Sequence, residues 1–303
     1  MPDFEAFLRD HPSYNTAYRN IEDQSFVLAL AAVAVYENYG QELGRTADEI
    51  LSYVNSHYPD NYIQQYVARV EQLQNLDIRF KANPSAVTLG DPALHVDRNI
   101  YDLGLLLSIL FTRHRFEIIQ QLKQFLKSLL QNAGRIASIG AGPGYEIKLI
   151  ADALPGWRIE SYETNKEAQQ RAARLLDYFQ VRAPIIFEDL FPFDVPAPAL
   201  RDQYDAIVCC ELLEHLDDPA SALRAIRACL RPDGRAFVTM AVNIAQEDHM
   251  FLYPDIASCR AQIADSGLAC VSEWIAPRTA MSDMKDREKG FKSGNYIAVT
   301  RRA

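Results

Sequence analysis

A glycine-rich segment is the first stretch of the chain whose residue types could bind a ligand. It reads Ile139-Gly140-Ala141-Gly142-Pro143-Gly144, follows an apolar run at 135–139 and precedes a helical pattern. Glycines at such a turn let a ligand approach the backbone closely. A dinucleotide site needs glycine at the sixth position, where this chain has Tyr145, so a nicotinamide oxidoreductase is disfavoured. The spacing favours a ligand that lacks pyrophosphate and carries an amino-acid portion, and the alternative is a turn that binds nothing. The residues predicted to contact the ligand are Gly140, Ala141, Gly142 and Gly144.

Two acidic residues follow the next two predicted strands. Glu163, nineteen residues after Gly144, could accept hydrogen bonds from both hydroxyls of a ribose. Asp189 ends the third predicted strand and could accept from the exocyclic amine of an adenine. We predict that both acids bind a nucleoside, together with their neighbours Thr164 and Leu190. The alternatives are a solvated acid at a strand end and an ordinary loop acid.

The segment after the fourth predicted strand changes abruptly from apolar to polar. Cys210 and Glu211 follow the buried run 205–209 directly. Ligands of open parallel sheets bind outside the carboxyl ends of the strands, so we expect both residues to face the pocket. His215 lies a few residues further on and is a candidate catalytic residue. Its alternative role is a structural histidine that holds a backbone carbonyl.

A second histidine follows the fifth predicted strand, in the segment 241–253. His249 is the leading candidate for a general base, because imidazole titrates near neutral pH. Asp248 or Glu247 could orient it, and the alternative is a histidine on a surface loop. We expect no metal among His215, Asp248 and His249, because no ligand spacing supports one.

Alternating strands and helices must position these residues. The helical stretches between the strands begin near residues 144, 165, 219 and 254, which predicts a parallel sheet covered on both faces. The last connection, 281–292, is polar and not helical, so we expect the final strand to return antiparallel. The predicted strands are 135–139, 158–162, 184–187, 205–209, 235–240, 270–275 and 295–300.

The first 130 residues have a different texture, with apolar residues at helical spacing throughout. Helices are predicted at 26–40, from 46, at 61–81 and over 99–131. We therefore divide the chain into an all-helical N-terminal domain, 1–130, and an α/β ligand-binding domain, 131–303. The helical domain would cap the substrate pocket or form a homodimer.

Composition limits the partners of the chain. It has 303 residues and a formal net charge of −9, whereas nucleic-acid-binding proteins usually carry a basic face, so no nucleic-acid partner is expected. The longest apolar run, 26–36, has eleven residues, and a membrane span needs about 20. The five cysteines form no C-x-x-C pair. These features fit a cytoplasmic protein without a membrane partner.

Together these segments resemble the class I S-adenosylmethionine (SAM)-dependent methyltransferases, from about residue 113 to the C-terminus. The resemblance rests on the glycine motif, Glu163, Asp189, the segment 210–215 and the turn 230–234. Residues 211–219 are similar to the ubiquinone-biosynthesis O-methyltransferases and their small-molecule relatives. This resemblance implies an α/β, Rossmann-like core with a seven-stranded mixed sheet. It also implies that SAM is the co-substrate and that a methyl group passes in line to an oxygen, nitrogen or carbon of a small molecule.

Two departures from the family pattern narrow this expectation. Many relatives carry an acid two places before the first motif glycine, where this chain has Ser138, which should weaken or reroute a contact to the methionine amine. The fourth strand also lacks the Asp/Asn-Pro-Pro-Tyr/Phe signature of enzymes that methylate DNA bases or glutamine amides. Such substrates are therefore disfavoured.

The resemblance also suggests residues outside the central motifs. Relatives use a basic or aromatic residue just before the core to hold the SAM carboxylate, which Arg115 or Arg113 would do here. The segment around His249 resembles an Asn…Asp-His segment of natural-product methyltransferases. The tyrosines that could line an acceptor pocket, or equally belong to the core, are Tyr14, Tyr18, Tyr101 and Tyr296.

Two alternatives to methyl transfer keep the same fold. One is a SAM-utilising lyase or cyclase in which an atom of SAM's own methionine arm attacks, and methylthioadenosine would be a product of aminobutyrate-arm attack. The other is a non-catalytic interaction protein that docks or dimerises through its helical region and does not bind SAM.

Overall fold

The computed structural model of the chain describes residues 113–129, 133–142, 144–178, 181–188, 200–244, 249–277 and 291–303. The helices within these ranges are α1 (Arg113–Ser128), α2 (Tyr145–Ala153), α3 (Lys166–Tyr178), α4 (Pro219–Cys229) and α5 (Ile256–Asp265). The strands are β1 (Arg135–Ile139), β2 (Arg158–Tyr162), β3 (Ile185–Glu188), β4 (Tyr204–Cys209), β5 (Leu230–Val242), β6 (Leu268–Pro277) and β7 (Gly294–Arg302).

One mixed sheet contains all seven of these strands, in the order β3-β2-β1-β4-β5-β7-β6. Strands β1 to β5 pair in parallel, and β7 runs antiparallel between β5 and β6. The predicted Rossmann-like sheet with an antiparallel last strand is therefore confirmed. Because β1 pairs in parallel with β2 and β4 on either side, the carboxyl ends of these three strands and the loops after them share one edge.

The fifth strand begins earlier than predicted. Leu230 pairs with Tyr204, and the register then shifts before Ala206 pairs with Arg235. The turn 231–234 lies within this irregular section, where a Cβ on Gly234 would lie 2.8 Å from the Tyr204 carbonyl oxygen. A proline and a glycine in the sequence predict a loop here, whereas the pairing of Leu230 with Tyr204 places the start of the strand before this turn.

Helices cover both faces of the sheet. Buried residues of α1, α2 and α3 pack on one face around Ile136 and Phe237, and those of α4 and α5 pack on the other around Ile207 and Val238. This arrangement follows from strands that are apolar on both sides, since a parallel sheet buries both of its faces.

Helix α1 belongs to the core of the sheet domain. Its buried side chains follow helical spacing, and Phe125 stacks on Phe237 of β5 with ring centroids 5.6 Å apart. Burial of each such side chain contributes about 1.5–3 kcal/mol to the free energy of unfolding. The sequence assigns 113–128 to the N-terminal domain, but this helix packs on the sheet. The buried residues are Ile118, Ile119, Leu122, Phe125 and Leu126.

The predicted N-terminal helices before residue 113 lie outside the described residues, and so does the predicted cap. Among the helices described here, none has both the length and the apolar character that a membrane crossing requires.

Candidate SAM-binding and active site

The glycine loop after β1 adopts the left-handed backbone conformation at three positions. The φ angles are 71° at Gly140, 47° at Gly142 and 85° at Gly144. A Cβ on Gly144 would lie 2.7 Å from the Cβ of Ala172, so glycine lets α2 and α3 approach closely. A Cβ on Gly142 would meet nothing within 4 Å in the described chain. The loop therefore has one packed side and one side that a ligand can approach.

Glu163 lies directly beside this loop. Its Oε2 accepts a hydrogen bond of 3.2 Å from the Gly142 N–H, and its Oε1 accepts one of 2.9 Å from the Asn165 N–H. The strand ends are also joined, because the Glu163 N–H donates to the Glu188 carbonyl at 3.0 Å. The two strongest sequence signals, the loop and the acid, thus share one site. Thr164 is exposed at the same turn, whereas Asp189 and Leu190 lie outside the described residues.

A hydrogen-bonded network surrounds Glu211 at the carboxyl end of β4. Arg115 of α1 donates from Nη1 to Glu211 Oε2 at 2.9 Å. Glu211 Oε1 accepts from the Thr239 hydroxyl at 2.8 Å and from the Asn295 amide at 2.6 Å. Four elements meet at this carboxylate, and the backbone of Glu211 is left-handed with φ 50°. The predicted carboxylate-binding Arg115 is therefore already paired with a second predicted site residue.

Burial and charge alter the ionisation of the groups around Arg115. Burial raises the pKa of Glu146, and the guanidinium of Arg115 opposes that rise. Burial alone would lower the pKa of Arg115, but the neighbouring carboxylates of Glu211 and Glu146 raise it overall. Burial also raises the pKa of Cys210 well above its usual value, so this thiol remains protonated at neutral pH. Cys210 is therefore not a nucleophile.

A compact cluster of Glu214, His215 and His249 lies at the ends of β4 and β5. One ligand atom from each side chain can be chosen so that all three lie within 4.8 Å of one another. The two imidazole rings meet edge to face, with centroids 4.8 Å apart and an interplanar angle of 86°. His249 is 4% exposed and Glu214 is 1% exposed, so His249 is not the surface-loop histidine of the alternative interpretation.

Backbone hydrogen bonds hold the two loops of this cluster together. The Glu214 carbonyl accepts from the N–H groups of Met250 and Phe251 at 2.8 and 2.9 Å. The Nδ1 atom of His249 lies 2.8 Å from the Ile244 carbonyl oxygen. Since a carbonyl only accepts, Nδ1 donates the proton in this contact, and in the neutral ring Nε2 is then the nitrogen with the lone pair.

One predicted site residue has a different role in the structure. Tyr296 is fully buried, and its hydroxyl donates to Glu273 at 2.6 Å, so it is a core residue and does not line an acceptor pocket. Arg113 is the first residue of α1, and nothing more is described for it. The remaining predicted site residues lie outside the described ranges; they are Asp248, Tyr14, Tyr18 and Tyr101.

Sequence reasoning missed four polar residues that complete the site. Glu146 follows the glycine loop, and Glu214 precedes His215, so their positions beside known motifs are a usable signal. Thr239 and Asn295 lie inside strands where nothing in the sequence distinguishes them. The pairing of β5 with β4 brings Thr239 to Glu211, and the pairing of β7 with β5 brings Asn295 there.

Comparisons with known proteins agree with this geometry. A family described as "Methyltransferase domain" matches residues 111–271. A ubiquinone biosynthesis O-methyltransferase from Pseudomonas aeruginosa is 33% identical over 175 residues, which are 55% of this chain and 68% of that relative. One from Aeromonas salmonicida is 58% identical over 38 residues, only 12% of this chain and 16% of the relative. This short match thus spans less than a fifth of that relative.

Solved structures share the fold. A chain from the complex between the Haloferax volcanii Trm112 methyltransferase activator and a protein described as a methyltransferase aligns with a TM-score of 0.50 and 17% identity. It covers 67% of this chain and 93% of that chain. The sheet order, the glycine loop and the strand-end acid define a class I SAM-dependent methyltransferase. The chain belongs to the methyltransferase-domain family.

Proposed function

We propose that the chain transfers the methyl group of SAM to a small-molecule acceptor. The observation that carries this proposal is the contact between Glu163 and the glycine loop, at the carboxyl edge of the sheet. A ribose bound by Glu163 would leave the methionine arm to run along Gly140 to Gly144 towards the ends of β4 and β5. The loop side at Gly142 has the space that such a ligand needs.

The charged groups near the loop match the methionine arm. Arg115 can share its guanidinium between Glu211 and the SAM carboxylate, because it carries five N–H donors. Glu146 is a half-buried acid that follows the loop, and it supports a contact to the methionine ammonium that Ser138 should weaken or reroute. Two acids around one arginine also favour a cationic sulfonium ligand.

The chemistry requires alignment first and proton removal second. A carbon–acceptor bond forms as the carbon–sulfur bond breaks, and S-adenosylhomocysteine leaves with both electrons of that bond. Holding the acceptor in line can lower the barrier by about 7–11 kcal/mol. The acceptor's proton is removed at the cluster of Glu214, His215 and His249, where His249 Nε2 offers a lone pair.

The small-molecule class of acceptor is supported by the relatives named as ubiquinone biosynthesis O-methyltransferases. The acidic chain fits this assignment and a cytoplasmic location. We also propose that the predicted N-terminal domain, without the sheet-packed helix α1, supplies a cap or a dimer surface beside the acceptor.

The test is product analysis with the full chain. We would incubate it with SAM and a panel of phenols, amines and keto acids, and measure nucleoside products by mass spectrometry. The proposal predicts S-adenosylhomocysteine together with an acceptor that gains one methyl group. Methylthioadenosine without a methylated product would instead support attack by SAM's own arm. No binding of SAM in calorimetry would support a non-catalytic role.

The proton-removal step has its own test. His249→Gln should abolish most turnover while S-adenosylhomocysteine binds with unchanged affinity, because the imidazole is assigned to the acceptor. His114→Gln is the matched control, since it also removes an imidazole but not one of the cluster. Full turnover by the His249 variant would contradict the assignment.

A further inference from the structure

The cluster of Glu214, His215 and His249, at the ends of β4 and β5, contains several groups that can act as metal ligands. Its three side chains supply two imidazole nitrogens and one carboxylate oxygen, within 4.8 Å of one another. Ligand atoms around one cation at about 2.1 Å lie at most about 4.2 Å apart. Binding of one ion therefore requires side-chain rotations that bring these atoms closer together.

Hydrogen bonds to the backbone already orient the side chains of this cluster. The hydrogen bond from His249 Nδ1 to the Ile244 carbonyl fixes the tautomer that leaves Nε2 for a ligand. Ligating histidines almost always donate their other N–H in this way. The hydrogen bonds of Met250 and Phe251 to the Glu214 carbonyl hold the loop of His249 against the turn of Glu214 and His215.

Charge also favours a cation. Glu214 is 1% exposed, and a cation bound beside a buried carboxylate offsets part of the cost of its desolvation. Protonating both imidazoles would place two like charges side by side, with ring centroids 4.8 Å apart. One divalent ion compensates the carboxylate and uses both imidazoles in their neutral form.

We propose that Glu214, His215 and His249 bind a divalent first-row transition-metal ion at the acceptor side of the site. Two histidines and one carboxylate suit zinc, iron, cobalt or manganese better than magnesium or calcium, and three protein ligands leave positions open. The sequence predicts no metal, because it offers Asp248 as the third ligand and shows no regular spacing. The fold supplies Glu214 instead.

The metal site stands independently of the proposed function, and only the role of the ion in catalysis rests on that function. An acceptor oxygen or nitrogen bound to an open position would lose its proton to water more easily, because the cation stabilises the anion. The deprotonated atom then attacks the methyl carbon, and S-adenosylhomocysteine leaves. In the metal-free chain the His249 lone pair would accept the proton directly, whereas in the loaded site it binds the ion and promotes proton loss through that ion.

The test uses Co²⁺ as a probe on the full chain after treatment with a chelator. We expect one Co²⁺ per chain by elemental analysis after desalting, with a visible absorption band from nitrogen and oxygen ligands. Less than one tenth of an ion per chain, or an unchanged spectrum of free Co²⁺, overturns the proposal.

Variants locate the ion. Glu214→Gln and His215→Asn should each lose the bound Co²⁺ and its band, whereas His114→Gln should keep both. Circular dichroism checks that each variant is folded, and the wild-type stoichiometry decides the matter if one is not. Equal Co²⁺ content in all variants overturns the proposal. S-adenosylhomocysteine affinity is measured separately, so a chain that binds Co²⁺ but not the nucleoside refutes the proposed function alone.

Discussion

Glu163 is the residue on which nucleoside binding depends most. Its carboxylate now accepts two backbone N–H groups, and a ribose would bring two O–H donors to the same oxygens. Each hydrogen bond to a charged group contributes about 1.5–3 kcal/mol. The side chain therefore couples the shape of the glycine loop to the ligand.

Glu163→Ala should weaken S-adenosylhomocysteine binding by about 10- to 100-fold, because one or two such hydrogen bonds are lost. Calorimetric titration measures the change. Glu188→Ala is the control, since that exposed side chain ends the adjacent strand while only its backbone carbonyl touches Glu163. Equal affinities of the two variants would contradict the assignment of the ribose site.

Some residues of the site can be recognised in the sequence, and others cannot. Glu163 is predictable because it follows a short strand at a fixed distance from the glycine loop. The partner of His249 is not, because Asp248 is adjacent in the chain whereas Glu214 is brought there by the backbone hydrogen bonds of Met250 and Phe251. The spacing of residues along the sequence does not predict contacts between loops that follow different strands.

At the scale of elements, the glycine loop has two functions that can be separated. Gly144 lets α2 pack on α3, and Gly142 borders the space beside the loop. Both have positive φ, so both carry a backbone cost when substituted by alanine. Only the substitution at Gly144 would also bring a Cβ into steric clash, with Ala172.

Gly144→Ala should lower the melting temperature clearly more than Gly142→Ala, because its Cβ would lie 2.7 Å from that of Ala172. The left-handed conformation alone costs about 1–2 kcal/mol at each position. Gly142→Ala should instead mainly weaken S-adenosylhomocysteine binding. Scanning calorimetry and titration of both variants check this, and the reverse order of melting temperatures would refute the division of roles.

The bounds of most elements are predictable because apolar runs and helical periods alternate regularly after residue 135. The start of β5 is not, since Pro232 and Gly234 indicate a loop while the pairing of Leu230 with Tyr204 of β4 places the start of the strand before them. The sequence is ambiguous about α1, because its helical spacing resembles that of the preceding segment whereas the family resemblance begins at about residue 113. Packing on Phe237 assigns the helix to the sheet.

At the scale of the whole molecule, an ionic network around the buried Glu160 joins the neighbouring strands β2, β1 and β4. Arg135 of β1 donates to both oxygens of Glu160 in β2, at 2.8 and 2.9 Å. The hydroxyl of Tyr204 in β4 also donates to Glu160, and Tyr162 lies 2.6 Å from that hydroxyl. Burial raises the pKa of Glu160, but these donors lower it by more.

The network predicts a loss of stability in acid. Because the folded pKa of Glu160 lies below the ordinary value of 4.5, its contribution is complete above that pH and is lost as pH falls through the folded pKa. Glu160→Gln should cost about 3–5 kcal/mol at neutral pH and flatten this acid dependence. Urea unfolding at several pH values measures both effects.

Glu273→Gln is the matched control for that prediction. Glu273 also has a lowered pKa because Arg260 donates to it, but its side chain is 35% exposed. A solvent-exposed ion pair contributes about 0–1 kcal/mol, so this variant should lose much less stability. Equal losses of unfolding free energy in the two variants would contradict the larger contribution assigned to the network around Glu160.

A crystal structure of the chain with S-adenosylhomocysteine tests the central claim most directly. The account predicts the ribose hydroxyls at hydrogen-bond distance from Glu163, the amino-acid arm along Gly140 to Gly144, and the sulfur turned towards His215 and His249. An adenosyl group bound elsewhere, or an edge of the sheet that stays closed at saturating ligand, would contradict it.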